Sequence, residues 1–245
     1  MGKIIAVVSG KGGTGKTSFT ANVGIALAEM GLRTLCVDCD ITLRNLDLAL
    51  GLSDAAMMDF CDVAKGRCAI QAAAVPHQKY TSLHLLTSPQ TADALEVTQS
   101  QMRYLAEQIR ENYDYCLIDA PAGLGLGFRL ATFCADSVVV VTTTDNSALR
   151  DAQRTVMELS RFPRGSVHLA VGRVQKKMLR ALHTTIDDAI DMAGLPLIGV
   201  IPEDPDVPAA LNRGVALRDC NFYAARAYEN IARRITGEKV PLMRI

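Results

Sequence analysis

Residues 10–17 read Gly10-Lys11-Gly12-Gly13-Thr14-Gly15-Lys16-Thr17, and the fold turns on how this octapeptide is read. It satisfies G-x-x-x-x-G-K-[ST] at every fixed position. An apolar β-branched run, Ile4 to Val8, precedes it. A helical stretch, Thr17 to Met30, follows and closes at Gly31, a residue suited to ending a helix. A strand handing over to a helix through glycines is the setting this pattern needs. Glycines let successive backbone N–H groups turn toward one anion. A helix beginning near Gly15 adds the positive end of its dipole. Gly10 to Ser18 is therefore expected to form a phosphate-binding loop, with Lys16 reaching the β- and γ-phosphates of a nucleotide and the Thr17 hydroxyl ligating Mg²⁺.

Moving outward, similar apolar runs recur: Thr34 to Val37 ending at Asp38, then Leu83 to Leu86, Tyr115 to Ile118, Val138 to Val141, Val167 to Val171 and Leu197 to Ile201. They are continuous rather than alternating, which predicts parallel strands covered on both faces. Amphipathic stretches lie between them. Leu149, Ala152, Val156 and Leu159 repeat at helical spacing. Thr184 is the expected N-cap of a helix carrying Ile186, Ala189, Ile190 and Ala193, which Gly194 and Pro196 end. Ala224, Tyr228, Ile231 and Ile235 mark a last helix. The repeated βα order predicts an α/β fold, a doubly wound, mostly parallel sheet with helices on both faces. With no repeat or linker in view, residues 1–245 are expected to be a single P-loop ATPase domain.

Composition narrows the class. Apolar residues make up 49% of the chain and charged residues 21%, so a substantial core is expected. The 26 basic and 26 acidic residues cancel, so no global field draws the chain to nucleic acid or membrane. Seven cysteines, an odd number, with no secretory signal before the first strand, lead to the expectation of a reducing cytoplasm. No apolar run approaches the length that spans a bilayer.

Other residues gain meaning from the loop. Lys11 is a second lysine inside it. An isolated lysine would be a solvated charge, but here it could reach the nucleotide of a facing subunit and offset charge developing in phosphoryl transfer. Asp38 and Asp40 follow the second strand, where ligand crevices form in such sheets. Asp40 is placed either to orient the attacking water or to hold Mg²⁺ through water. Tyr115-Cys116-Leu117-Ile118-Asp119 is a strand ending in an acid that would belong to the metal shell. Pro121-Ala122-Gly123 comes next, and a Gly123 N–H could approach a γ-phosphate and move when it leaves.

With these residues on the page, the chain resembles the MinD/ParA family of ATPases, whose deviant phosphate-binding loop carries the additional lysine. Asp38-Cys39-Asp40-Ile41-Thr42-Leu43-Arg44-Asn45-Leu46-Asp47-Leu48 resembles the switch I segment of the MinD-like members. Asp119 to Gly123, Asp145 to Arg154 with Arg150-Asp151, and Gly199 to Asp204 match MinD-like stretches too, so the resemblance runs from Lys3 to about Gly237. It implies that Lys11 crosses a nucleotide-sandwich dimer and that Lys16 and Thr17 bind phosphates and Mg²⁺. Asp40 would be the catalytic acid positioning water, Asp38 and Asp119 would support the metal, and Pro202, Glu203 and Asp204 would lie near adenine. It further implies ATP/ADP as cofactor, a homodimer formed with ATP, and Min-type partners: a division inhibitor and an activator of hydrolysis. The location implied is cytoplasmic, peripheral on the inner face of the cell membrane. ParA-type DNA- or cargo-positioning ATPases and flagellar-number regulators are the alternatives within the superfamily. A metabolic enzyme using the same ATP site is a further rival. Neutral charge and the Leu43 to Leu48 segment weigh against a nucleic-acid partner.

Two departures stand out. Where the family places an Asn-Arg pair, with the Asn reading adenine, this sequence has Gly172-Arg173. MinD-like proteins end in a basic amphipathic helix, whereas 237–245 contains Pro241 and few apolar residues, so a shortened or non-anchoring tail is expected. Cys36 and Cys39 form C-x-x-C, but Cys36 lies in an apolar strand, and buried thiols are expected rather than a redox pair or an iron–sulfur cluster. His77, His84, His168 and His183 show no zinc spacing. Lys176, Lys177 and Arg180, near Arg173, are expected to be a solvated basic surface.

Overall fold

The computed structural model describes residues 1–41, 44–89, 96–182 and 185–243, with backbone alone at 178 and 182. Eight strands form one sheet: β1 (Lys3–Val8), β2 (Thr34–Asp38), β3 (Val75–Pro76), β4 (Leu83–Leu86), β5 (Tyr115–Asp119), β6 (Ser137–Thr142), β7 (Val167–Val174) and β8 (Leu197–Pro202). Their order is β3-β4-β2-β5-β1-β6-β7-β8. Every pairing is parallel except β3 with β4 at the edge. The fold is thus the doubly wound α/β class that the continuous apolar runs predicted. The short antiparallel β3 was not legible, because two residues ending in proline carry no strand pattern.

The helices are α1 (Lys16–Glu29), α2 (Leu46–Ala49), α3 (Phe60–Ala64), α4 (Ile70–Ala73), α5 (Gln99–Asn112), α6 (Leu126–Cys134), α7 (Asn146–Glu158), α8 (Lys176–Leu182), α9 (Ile186–Ala193), α10 (Asp206–Asn212), α11 (Leu217–Cys220) and α12 (Phe222–Ile235). Strand pleating divides the core in two. Ile4, Ala6 and Val8 of β1 point into the layer under α3, α5, α6, α7 and α9. Ile5 and Val7 point into the opposite layer, under α1 and α12. Apolar side chains thus leave water on both faces, which makes the sheet the stabilising centre of the molecule.

Close contacts fix how the helices lie. A Cβ on Gly24 would come within 2.5 Å of Cys36 Sγ, so α1 presses on β2 where a side chain has no room. A Cβ on Gly199 would lie 2.3 Å from Ile231 Cγ1, so α12 is seated equally tightly on β8. Arg234 Nη1 adds a hydrogen bond to the Ile198 carbonyl at 2.8 Å. The N-cap of α9 is Thr185, whose hydroxyl accepts from the Asp188 N–H while Asp188 accepts from the Thr185 N–H. This corrects the expected cap at Thr184, a residue outside those described. Adjacent threonines before one periodic stretch give the same sequence signal, and the reciprocal Asp188 partner decides between them. Gly194 ends α9 at φ 66°, as its position predicted.

Candidate nucleotide site

The parallel strands all point their C-terminal ends to one edge, and a cleft of about 470 Å³ opens there. The β1–α1 loop forms its floor. Gly13 and Gly15 adopt φ 77° and 98°, values that favour glycine, and a Cβ on either would meet nothing. The requirement at these two positions is therefore conformational: the chain must turn its amides inward before α1 begins. Of the predicted loop residues, Gly12, Gly13, Thr14, Gly15, Lys16, Thr17 and Ser18 line the cleft together with Asp40, Arg173, Pro202, Glu203 and Asp204.

Gly10 does not line it. A Cβ there would meet the Asp151 side chain and carbonyl, both at 2.6 Å, so this glycine permits packing against α7. Gly123 also lies off the cleft. At φ 84° its N–H donates to the Ser9 carbonyl at 3.2 Å, so it is engaged with the loop rather than offered to a phosphate.

Lys16 is buried, and its Nζ donates to Ser9 Oγ at 2.8 Å. Ser9 Oγ in turn donates to the Lys11 carbonyl at 2.7 Å. Burial lowers the Lys16 pKa, against the opposing pull of Asp119 and Asp40. Ser9 was not singled out in the sequence; its place immediately before the loop was the available signal.

Lys11 turns away from this cleft. Its Nζ bonds Asp145 Oδ1 at 2.9 Å and Ser147 Oγ at 2.8 Å, and it lines a neighbouring groove with Thr143, Thr144 and Arg173. Asp145 is also the N-cap of α7, accepting from the Ala148 N–H at 3.0 Å and from Thr143 Oγ1. Burial would raise the Asp145 pKa, but hydrogen bonds from Thr143, Ser147 and Lys11 outweigh it and hold the acid well below its ordinary value.

Asp38 and Asp119 are paired across β2 and β5, both buried. Burial, then the field of Asp119, pushes Asp38 up to about 7; burial, against the Thr17 hydroxyl and Lys16 and with the field of Asp40, pushes Asp119 up to about 6. The Asp38 oxygens accept from the N–H groups of Asp40 at 2.8 Å and Leu46 at 3.2 Å. Asp38 therefore organises the segment carrying Asp40 through its backbone. Asp119 Oδ2 accepts from Thr17 Oγ1 at 2.6 Å, while Oδ1 is buried with no hydrogen-bond partner among the described residues. A hydroxyl beside an orphaned carboxylate oxygen suits a hard divalent cation. No group of three His, Cys, Asp or Glu side chains is gathered for a metal among the described residues. The donor set therefore fits Mg²⁺, which keeps waters and shares phosphate oxygens.

At the far end of the cleft, Arg173, at φ 55°, grips Glu203 through Nε at 2.9 Å and Nη2 at 3.2 Å. Its Nη1 also reaches the Gly13 carbonyl at 3.3 Å, tying the loop to the end of β7. Arg173 is thus set apart from Lys176, Lys177 and Arg180, which are exposed on α8. Asn45, Val207, Pro208 and Tyr228 also line the cleft and were not among the anticipated site residues. Tyr228 looked like an ordinary apolar helix position. Cys36 and Cys39 are buried in opposite core layers, with thiols pushed up by burial. Thr42, Leu43 and His183 lie outside the described residues.

Comparison with known proteins agrees with this geometry. The family description "AAA domain" matches residues 2–165. The septum site-determining protein MinD of Bacillus subtilis is 39% identical over 246 residues, covering 99% of this chain and 92% of that protein. The chain belongs to the MinD family of P-loop ATPases. Its fold superposes on MinD in the MinC:MinD cell division complex of Aquifex aeolicus with a TM-score of 0.89 at 36% identity, covering 99% of this chain and 98% of that one. It also superposes on MinD complexed with Mg-ADP from Pyrococcus horikoshii, at a TM-score of 0.84 and 30% identity, with 97% of each chain covered. As a MinD-family member the chain is an ATPase that uses adenine nucleotide and Mg²⁺. No helix among the described residues is long and apolar enough to cross a membrane.

Proposed function

We propose that the chain, residues 1–245 acting as one ATPase domain, is a spatial switch for cell-division site selection that closes as a dimer on ATP and opens on hydrolysis. In this reading the amides of Gly12 to Ser18, with Lys16, hold the triphosphate. Thr17 and Asp119 would hold Mg²⁺, which would offset negative charge on the phosphates. Asp40 orients the attacking water, and Asp38 holds Asp40 in place through its backbone. Pro202 to Asp204 and Arg173 enclose the base. Gly123, bonded to the Ser9 carbonyl, would sense the γ-phosphate by exchanging that partner.

The observation that carries the proposal is the position of Lys11. It belongs to the phosphate loop, yet its ammonium lies outside its own cleft, held by Asp145 and Ser147 in the next groove. A cation so placed can serve the nucleotide of a facing copy without rebuilding its own loop. The dimer would recruit an inhibitor of the MinC kind, as suggested by the Aquifex complex, at the inner surface of the cell membrane from a cytoplasmic pool. An activator of hydrolysis would release it. Light scattering is expected to show the mass doubling with Mg-ATP and not with Mg-ADP. Vesicles containing anionic lipid are expected to sediment the ATP form alone. Identical mass in both nucleotides would overturn the switch.

A further inference from the structure

The base end of the cleft offers few free hydrogen-bonding groups. Val141, Ile201, Val207 and Pro208 are apolar, and Gly172 presents bare backbone. Glu203 is held by Arg173. Asp204 accepts from the Asp206 N–H at 2.9 Å and from Asn221 Nδ2 at 2.9 Å. Tyr228 differs from all of these. It lines the same cleft, is only 3% exposed, and no described residue bonds its hydroxyl. Glu203, Asp204, Val207 and Pro208 line the cleft with it; burial, followed by the fields of those two acids, pushes its pKa up. Its depth is fixed by construction. One turn further along α12, Ile231 is seated against Gly199 so closely that no Cβ would fit.

A hydroxyl with no protein partner, on a side chain that lines a ligand cleft, is free to be completed by the ligand. We propose that Tyr228 is the base-reading residue of this ATPase: its hydroxyl bonds a nitrogen on the adenine edge and sets the ring between the ends of β7 and β8. The phenol can accept from the exocyclic amine or donate to a ring nitrogen. With no side chain at Gly172, this contact supplies a directional hold on the base that the apolar walls cannot.

Tyr228→Phe removes the hydroxyl and keeps the ring. Calorimetry on the full chain should show Mg-ADP binding weakened about five- to tenfold, the scale of one neutral hydrogen bond, with magnesium pyrophosphate binding unchanged. The unsubstituted chain, labelled at tyrosine ζ-carbons, offers a second arm that does not depend on the variant folding. One of its six tyrosine signals should move with ADP and stay still with pyrophosphate, since Tyr228 is the tyrosine on this cleft among the described residues. Equal ADP affinity in the Phe variant overturns the proposal. So does a loss shared by pyrophosphate, or the lack of a tyrosine signal that separates the two ligands.

Discussion

Asp38 and Asp119 face each other at the ends of β2 and β5, and two buried acids so close cannot both ionise without cost. Their raised pKa values, about 7 and about 6, make stability depend on pH with a definite sign. The unfolded carboxylates titrate near 4, so between pH 4 and 7 the folded chain binds more protons than the unfolded one. Stability fully present below that window is lost as pH rises through it. Without nucleotide or metal, the urea midpoint is expected to fall from pH 5 to pH 7.5. Asp119→Asn should flatten that slope and add on the order of 2 kcal/mol at pH 7.5. The same change should weaken Mg-ADP binding, because the orphaned oxygen is the one suited to the cation. A slope unaltered in the Asn variant would contradict the assignment. Lys16 gives a simpler test at this scale. Its ammonium has a hydroxyl partner in Ser9 and lies in the cleft, ready for phosphate. Lys16→Ala should lose about 100-fold in Mg-ADP affinity, the scale of about 3 kcal/mol for a charge-assisted contact, measurable by calorimetry.

Two turns meet where α2 and α10 end, and the contact is backbone on backbone. A Cβ on Gly214 would lie 2.6 Å from Gly51 Cα, and one on Gly51 would lie 2.3 Å from the Gly214 carbonyl. Both residues also have positive φ, 67° and 60°. Gly214→Ala should therefore cost about 2 kcal/mol or more in chemical denaturation. Gly66→Ala, at φ 67° with nothing nearby, should cost about 1 kcal/mol. Similar losses in the two would show that conformation alone matters and the seam does not. This contrast shows what the chain makes legible. The seven parallel strands could be read because each is a local apolar run, α7, α9 and α12 because their periodicity is local, and α1 because the glycine loop opens it and Gly31 closes it. α5 carries a local signal too, the capping pair Thr98 and Gln101 followed by Met102, Leu105, Ala106 and Ile109 at helical spacing. The Gly51–Gly214 seam, the Ser9 partner of Lys16 and the Asp145 hold on Lys11 join residues that only the completed sheet brings together. Tyr228 was hidden for a related reason, since an inward helix position looks the same whether it meets core or cleft.

At the scale of the whole molecule the proposed cycle is decided by where Lys11 can go. Its pair with Asp145 is partly exposed, with side chains 35% and 45% accessible, so the pair contributes at most about 1 kcal/mol. Asp145 keeps its cap to Ala148 without it, so release of the lysine does not require α7 to unwind. A triphosphate on a facing copy carries far more charge than one capped carboxylate and would draw the ammonium across once the two clefts meet. Lys11→Ala is therefore expected to bind Mg-ADP within about threefold of the unsubstituted chain, because no contact to its own cleft is removed. It should nevertheless stay at monomer mass in Mg-ATP. Asp40→Ala should give the opposite result: an ATP dimer that persists, with phosphate release cut about 100-fold, since water orientation is lost while the phosphate grip remains. Light scattering alongside a phosphate assay reads both variants together. A dimer that forms without Lys11 would remove the cross-subunit role, and rapid turnover without Asp40 would move the water-positioning group elsewhere in the cleft. The two substitutions lie on opposite sides of one cycle, closure and chemistry, so each variant should fail in the step the other completes.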